Sequence, residues 1–436
     1  MKSWRRPTVP VLPGTSEAPC LFDTASGELV WAHTGDVARL YVCGITPYDA
    51  THMGHASTYL AFDTLQRVWL DAGLEVHYAQ NVTDVDDPLL ERAAATNVDW
   101  RDLAAEQVDL FRSDMASLSI LPPDDYVAVT EVIDPIADAV QTLLEKGAAY
   151  RVDTPDSSTG DDIYFDTQKA AELSPWHLGQ ETNLDLATME RFFAERGGDP
   201  DRPGKRHTLD PLLWRAHREG EPSWSTAVGE GRPGWHIECS VIALDALGAD
   251  FTVQGGGSDL VFPHHDLSAG HAAVLSGHPL ARVFAHAGMV AYEGEKMSKS
   301  LGNLVLVSKL RAAGVDPRAI RLTILAHHYR SDWEWTDAAL TAATQRLLSW
   351  MSAARRSRAT SADSLDESRA IELLAPLRHA LAGDLDTPSA LTILDALFDS
   401  GEDAVVSLAA RASDALLGVS LEHANVPATV GAGLTA

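Results

Sequence analysis

A chain of 436 residues, 45% hydrophobic and 22% charged, has the composition of a soluble globular protein too long for one ordinary core. Its formal charge of -28 argues against a large nucleic-acid footprint, because gripping a phosphate backbone draws on clustered Lys and Arg. No run approaches the roughly 18 apolar residues that span a bilayer, prolines break the basic start "MKSWRRPTVPVLPG", and Cys20, Cys43 and Cys239 are too scattered for a disulfide framework, so the chain reads as cytoplasmic, without a membrane partner.

The first regular pattern, "ARLYVCGITPYDATHMGHASTYLAFDTLQRVWLDAG", predicts an apolar strand ending near Cys43, a loop, and a helix from about Gly54 to Asp71. "LEVHYAQNVTDVDD" follows as a second strand running into a polar loop. Strand, loop, helix, strand opens a parallel α/β sheet, in which ligands gather at the carboxyl ends of strands. Residues 91–234 are less regular and contain "VDTPDSSTGDDIYFDT" and "ERGGDPDRPGKRHTLDPLLWR", which marks them as an insertion splitting that fold. The pattern then resumes: "DFTVQGGGSDLVF" as a strand breaking into glycines, "HHDLSAGHAAVLSG" as a helix and "ARVFAHAGMVAY" as a strand.

From about residue 337 the spacing is helical, and from Thr341 onward there are seven arginines, no lysine and twelve acidic residues, a poor surface for RNA. The expected division is an N-terminal extension (1–37), two halves of a catalytic domain (38–90 and 235–336) around a connective insertion (91–234), a helical domain (337–420) and a tail (421–436).

Three constellations carry chemistry. "THMGH" places His52, Gly54 and His55 at a loop-to-helix junction, where free N–H groups already favour anions and two imidazoles one turn apart add donors. "EKMSKSLGN" puts Lys296, Ser298, Lys299 and Ser300 on one loop of a chain with only seven lysines, a pattern suited to a polyphosphate leaving group. Cys43, Cys239 and His264 each stand beside a strand end; two thiolates and an imidazole form a catalytic-type zinc site with a position left open. The bland alternative is two buried thiols and a satisfied histidine.

"HMGH" and "KMSKS", one in each half of a split α/β domain, resemble the HIGH and KMSKS signatures of class I aminoacyl-tRNA synthetases. The resemblance implies a Rossmann-like parallel sheet with an insertion, followed by a C-terminal helical domain. It also implies activation of an amino acid by ATP carrying Mg²⁺, with His52 and His55 on the α-phosphate and Lys296 and Lys299 on the departing pyrophosphate.

The blocks "YVCGITPYDATHMGH", "NVTDVDD", "GRPGWHIECS", "GGGSDLVFPHH" and "GEKMSKSLGN" are similar to cysteinyl-tRNA synthetase, in which zinc binds the substrate thiolate. In that synthetase a glutamate one turn after the zinc histidine is a further ligand; this chain has Ser268 there, Pro88 in place of a lysine and Gln254 in place of a histidine.

With "SWRRPTVPVLPG" and "ERGGDPDRPGK", these departures resemble the mycothiol-pathway cysteine ligases, relatives that join cysteine to the amine of glucosaminyl-inositol. That resemblance implies one Zn²⁺ per chain on Cys43, Cys239 and His264, and a cysteinyl-adenylate pocket formed by Cys43, Gly44, Ile45, Thr46, Thr58, Asn81, Val82, Thr83, Trp235, Gly257, Ser258, Asp259 and Val290. L-cysteine, ATP and an amino-sugar inositol are the expected partners, tRNA is disfavoured, and the chain is expected to be a monomer. The alternative, cysteinyl-tRNA synthetase, needs an RNA-binding tail. His265 and Asp266 are expected to cap or orient the helix that follows them.

Overall fold

The computed structural model describes residues 1–33, 35–48, 51–296, 304–359 and 365–421. Its centre is a five-stranded sheet: β1 (Val37–Val42), β2 (Glu75–Val82), β3 (Asp125–Ala128), β4 (Phe251–Gly257) and β5 (Ala281–Ala287). The strands lie in the order β5-β4-β1-β2-β3, and every neighbouring pair is parallel. The register sets Leu40 against Val253 and Val42 against Gly255, so the carboxyl ends of β1 and β4 finish side by side.

Alternate side chains serve opposite faces, as strand geometry requires. Leu40 and Val42 enter one hydrophobic cluster, Tyr41 the other. A sheet covered on both faces reads as near-continuous apolar sequence, which is why "RLYVCG" and "DFTV" are legible as strands.

Helix α1 (Met53–Asp71) joins β1 to β2 and is buried along most of its length, because the sheet covers one side and the C-terminal helices the other. The insertion contributes a separate antiparallel sheet, ordered 149–152, 162–165, 212–216, 229–233, 224–226, and a helix, α2 (Leu186–Glu195). Helices α3 (Trp235–Leu247) and α4 (Asp266–Ser276) pack in the cluster on the face opposite α1. Helices 337–359, 367–382, 387–398 and 403–417 follow, sharing one core with α1. No helix among the described residues is long and apolar enough to cross a membrane.

Three expectations differ. The first half of the central fold does not stop near residue 90: β3 (Asp125–Ala128), from within the expected insertion 91–234, pairs in parallel with β2 as the edge of the central sheet, so the interruption begins after it. "ARVFAHAGMVAY" is not one strand: β5 ends at Ala287 and Val290–Tyr292 joins another sheet, pairing with Trp333–Trp335 and Glu295–Lys296. The segment after β5 is captured from the side, since Gly288 N–H donates to the Tyr329 carbonyl (2.7 Å) and Met289 N–H to Asp332 Oδ1 (2.7 Å). The helix expected to begin at His264 begins at Asp266, after a tight turn over 261–265 in which Phe262 is extended.

The C-terminal helices are tied to α1 by a buried ion cluster. Asp63 faces Arg67 (2.8 Å) and Arg321, and its other oxygen accepts from Leu121 N–H (2.8 Å). Arg67 also donates to the Asp414 carbonyl (2.9 Å) and Arg321 to those of Leu118 (2.8 Å) and Leu417, so two cations sit at the C-terminal end of helix 403–417, where the helix dipole favours them. Burial alone would raise the Asp63 carboxyl; the guanidiniums of Arg321 and Arg67 outweigh it and hold it below the usual range. Replacing Asp63 with Ala leaves two guanidiniums buried without their counter-ion and is expected to cost about 3–5 kcal/mol, read as a lower urea midpoint for loss of the helical signal.

Candidate active site and metal centre

The carboxyl ends of β1 and β4 deliver the reactive side chains. After β1 the chain turns through Cys43 and Gly44: Cys43 N–H donates to the Gly255 carbonyl (3.2 Å), and Tyr59 of α1 donates its hydroxyl to the Cys43 carbonyl (3.0 Å). Gly44 N–H donates to Asn81 Oδ1 (2.7 Å), and a Cβ on Gly44 would stand 1.6 Å from the Asn81 carbonyl oxygen, so only glycine lets β1 and β2 end this close together.

Cys239, on the second turn of α3, then reaches the Cys43 sulfur at 3.9 Å, and His264 Nε2 lies 3.2 Å from Cys239 Sγ. Among the described residues, Cys43, Cys239 and His264 form a buried group whose ligand atoms all lie within 4.8 Å of one another.

The surroundings hold this corner in a defined charge state. His264 Nδ1 is 3.0 Å from His236 Nδ1, and the half-buried Trp235 ring stacks on His264 at 4.3 Å between centroids. Burial keeps the His236 and His265 imidazoles neutral, well below their ordinary range. Burial raises Cys43, and the sulfur of Cys239 beside it adds to this. For Cys239 burial acts in the same sense, but the hydrogen bond from Cys43 and the nearby His264 bring it well below an ordinary thiol.

The second half of the site is the N-terminus of α1. His52 caps the helix and its ring stacks on that of His55 at 3.7 Å; Met53 N–H donates to the Val305 carbonyl (3.0 Å) and Val307 N–H to the Thr51 carbonyl (3.0 Å). The chain beyond the lysine loop is thus stitched to the two-histidine junction.

Between the halves lies a cavity of about 490 Å³, lined by Cys43, Gly44, Ile45, Thr46, His52, Gly54, His55, Thr58, Trp235, Gly257, Asp259 and Val290 among the residues named from the sequence. Asn81, Val82 and Thr83 lie beneath it at the end of β2, where Thr83 N–H donates to the Ile45 carbonyl (3.0 Å) and Asn81 Nδ2 to Thr83 Oγ1 (3.1 Å). They support the lining rather than form it. Ser258 opens the short turn after β4 and is outside the lining. Lys296 falls on the strand Glu295–Lys296, paired with Ala291; its side chain and the whole of Lys299 lie outside the described residues.

Several participants are not evident from the sequence. Tyr48, Tyr59, Leu260, Gly288, Met289 and Leu304 also line the cavity. His265 and Asp266 do not cap α4. The His265 ring lies 3.3 Å from the Cys43 sulfur and 2.7 Å from His286, which in turn meets Thr24 Oγ1 (2.7 Å), while Asp266 accepts from Gly179 N–H (2.9 Å) and Glu181 N–H (3.0 Å) of the insertion. The doubled histidine was the available signal, for adjacent residues beside a cluster must face different partners. Of the three glycines in "GGGSD", Gly255 and Gly256 are taken up by the rings of Phe62 and His265; Gly257 reaches the cavity. Ser268 donates its hydroxyl to the His236 carbonyl (3.0 Å), tying α4 to α3.

A parallel sheet with a two-histidine helix start at its carboxyl edge defines a nucleotide-activating enzyme of the class I synthetase type. The chain belongs to the class I (C) tRNA synthetase catalytic-domain family, whose model matches residues 30–345. Within it, the chain is 61% identical over 425 residues (97% of this chain, 99% of the relative) to the L-cysteine:1D-myo-inositol 2-amino-2-deoxy-alpha-D-glucopyranoside ligase of Clavibacter michiganensis. It is 63% identical over 406 residues (92% of this chain, 99% of the relative) to the ligase of the same name from Clavibacter sepedonicus. Among solved structures, the Mycobacterium tuberculosis methionyl-tRNA synthetase in complex with methionyl-adenylate shares the fold, with a TM-score of 0.61 over 88% of this chain and 92% of that one, at 16% identity.

Asp266 is the joint between α4 and the insertion, and burial raises its carboxyl to about 7. An Asp266→Ala variant removes the acceptor of two amides and is expected to cost about 1–3 kcal/mol, with hydrogen exchange accelerating at Gly179 and Glu181 before the rest of the chain.

Proposed function

We propose that this chain is an ATP-dependent ligase that activates L-cysteine as its adenylate and passes the cysteinyl group to the amine of the amino-sugar inositol in the mycothiol pathway. The observation that carries this reading is one cavity lined both by Cys43, a member of the buried Cys43–Cys239–His264 cluster, and by the His52/His55 helix start. Near full-length identity to ligases of that name supports the choice of acceptor.

In the first step a carboxylate oxygen of cysteine attacks the α-phosphorus of ATP, and the bond to pyrophosphate breaks. His52 and His55, with the helix start they cap, stabilise charge on the α-phosphoryl oxygens; Lys296 and Lys299 receive the pyrophosphate, with Mg²⁺ carried on the nucleotide. Thr46 orients the amino acid, and Gly257 and Asp259 take the adenosine, the carboxylate suiting a ribose hydroxyl. In the second step the neutral amine attacks the adenylate carbonyl carbon, the bond to AMP breaks, and an amide remains after the amine gives up a proton. Positioning accounts for most of the acceleration, since side chains form no covalent bond in either step.

Cys43, Cys239 and His264 fit Zn²⁺: they are buried, soft or borderline donors, and His236 beside Nδ1 of His264 leaves Nε2 directed at the sulfurs. A bound Zn²⁺ supplies a soft Lewis acid that takes a thiolate in preference to a hydroxyl, which selects cysteine over serine. The substrates place the enzyme among soluble proteins acting on small molecules, and the acidic C-terminal helices give tRNA no evident seat; we read the enzyme as a cytoplasmic monomer.

ATP–pyrophosphate exchange tests the first step. The wild-type protein is expected to carry one zinc per chain and to exchange with cysteine but not serine. Cys239→Ala is expected to lose the metal and to reduce cysteine-dependent exchange by about 10²-fold or more, because the amino acid is no longer held for attack. Full zinc occupancy in that variant would remove Cys239 from the ligand set, and exchange with serine equal to that with cysteine would contradict the reading.

A further inference from the structure

The insertion segment "ERGGDPDRPGK" has no part in the chemistry above, yet it reaches the site. Arg196 is the C-cap residue that follows α2, and its Nη1 donates to the carbonyls of both Asp259 and Phe262, each at 2.6 Å. These carbonyls bracket the turn that leaves β4. Phe262 is extended (φ -142°, ψ 136°) in an otherwise helical turn, so its carbonyl is out of helical alignment, and the guanidinium takes it up. Charge-assisted bonds of this kind are stronger than neutral ones.

The guanidinium is itself held. It lies 3.9 Å over the Phe192 ring, and the chain beyond it is pinned by Gly198 N–H donating to the Phe193 carbonyl (2.8 Å) and by Lys205 Nζ on Asp199 (2.9 Å) and on the Thr208 carbonyl (2.8 Å).

We propose that Arg196 is a positioning residue for the nucleotide half of the site, fixing from the insertion the Gly257–Leu260 turn on which adenosine sits. The proposal rests on the ligase reading. The cysteine half has supports of its own: Trp235 and His236 hold His264, while the Gly255 carbonyl and Tyr59 hold Cys43. Loss of Arg196 should therefore separate the two substrates kinetically, which a general loss of structure would not do.

The test is ATP–pyrophosphate exchange by the full-length zinc enzyme and its Arg196→Ala and Arg196→Lys variants, with zinc content measured on each. Arg196→Ala is expected to raise the KM for ATP by about tenfold or more while the KM for cysteine stays within about twofold and zinc is unchanged. Because one nitrogen makes both bonds, the Lys ammonium can replace it, and Arg196→Lys should recover most of the ATP affinity. An unchanged KM for ATP in Arg196→Ala, or equal rises for both substrates with loss of zinc, overturns the role of Arg196 alone. A wild-type enzyme without cysteine-dependent exchange overturns the ligase reading, and this proposal with it.

Discussion

Two sulfurs and an imidazole buried within 4.8 Å of one another are the constraint around which the site is built. Buried polar groups of this kind are costly unless each finds a partner. The neighbours are arranged to supply one: Cys43 meets His265, which meets His286 and then Thr24, while His264 meets His236 under the Trp235 ring. Such a chain can form only if two strand ends and two helices arrive together. The parallel register of β1 on β4 brings the strand ends, and the Ser268 and Ser240 hydroxyls lock α3 to α4.

Helix α1 carries the same order to the far side of the molecule. Its first turn presents His52 and His55 to the cavity, and two turns on, Asp63 and Arg67 close on Arg321 and the end of helix 403–417. The C-terminal helices therefore brace α1. Their acidic composition, which offers little to RNA, is compatible with a purely structural duty of this kind.

The parts of this arrangement legible in the sequence are those set by local pattern. The first strand and the helix expected from Gly54 to Asp71 lie within a residue or so of Val37–Val42 and Met53–Asp71, because an apolar run and a capped 3.6-residue period are properties of neighbouring residues. Cys43, Cys239 and His264 could be named together because the sequence blocks around them resemble cysteinyl-tRNA synthetase; taken singly, each reads equally as a buried thiol or a satisfied histidine. The illegible parts depend on distant partners. Nothing near Met289 announces that Asp332 will draw it out of the sheet, or that Asp266 will turn from its own helix to the amides of Gly179 and Glu181. Likewise, nothing local in "GGG" announces that two of its three glycines make room for the distant rings of Phe62 and His265.

The central claim is that the activated cysteine goes to an amino sugar rather than to RNA. The direct measurement gives purified enzyme, loaded with cysteine and ATP, a choice between glucosaminyl-inositol and tRNA in one reaction, and identifies the cysteinylated product by mass spectrometry. The account predicts an amide on the sugar amine with one AMP released per product, and uncharged tRNA. Cysteinyl-tRNA formed while the amino sugar is left unchanged would contradict it.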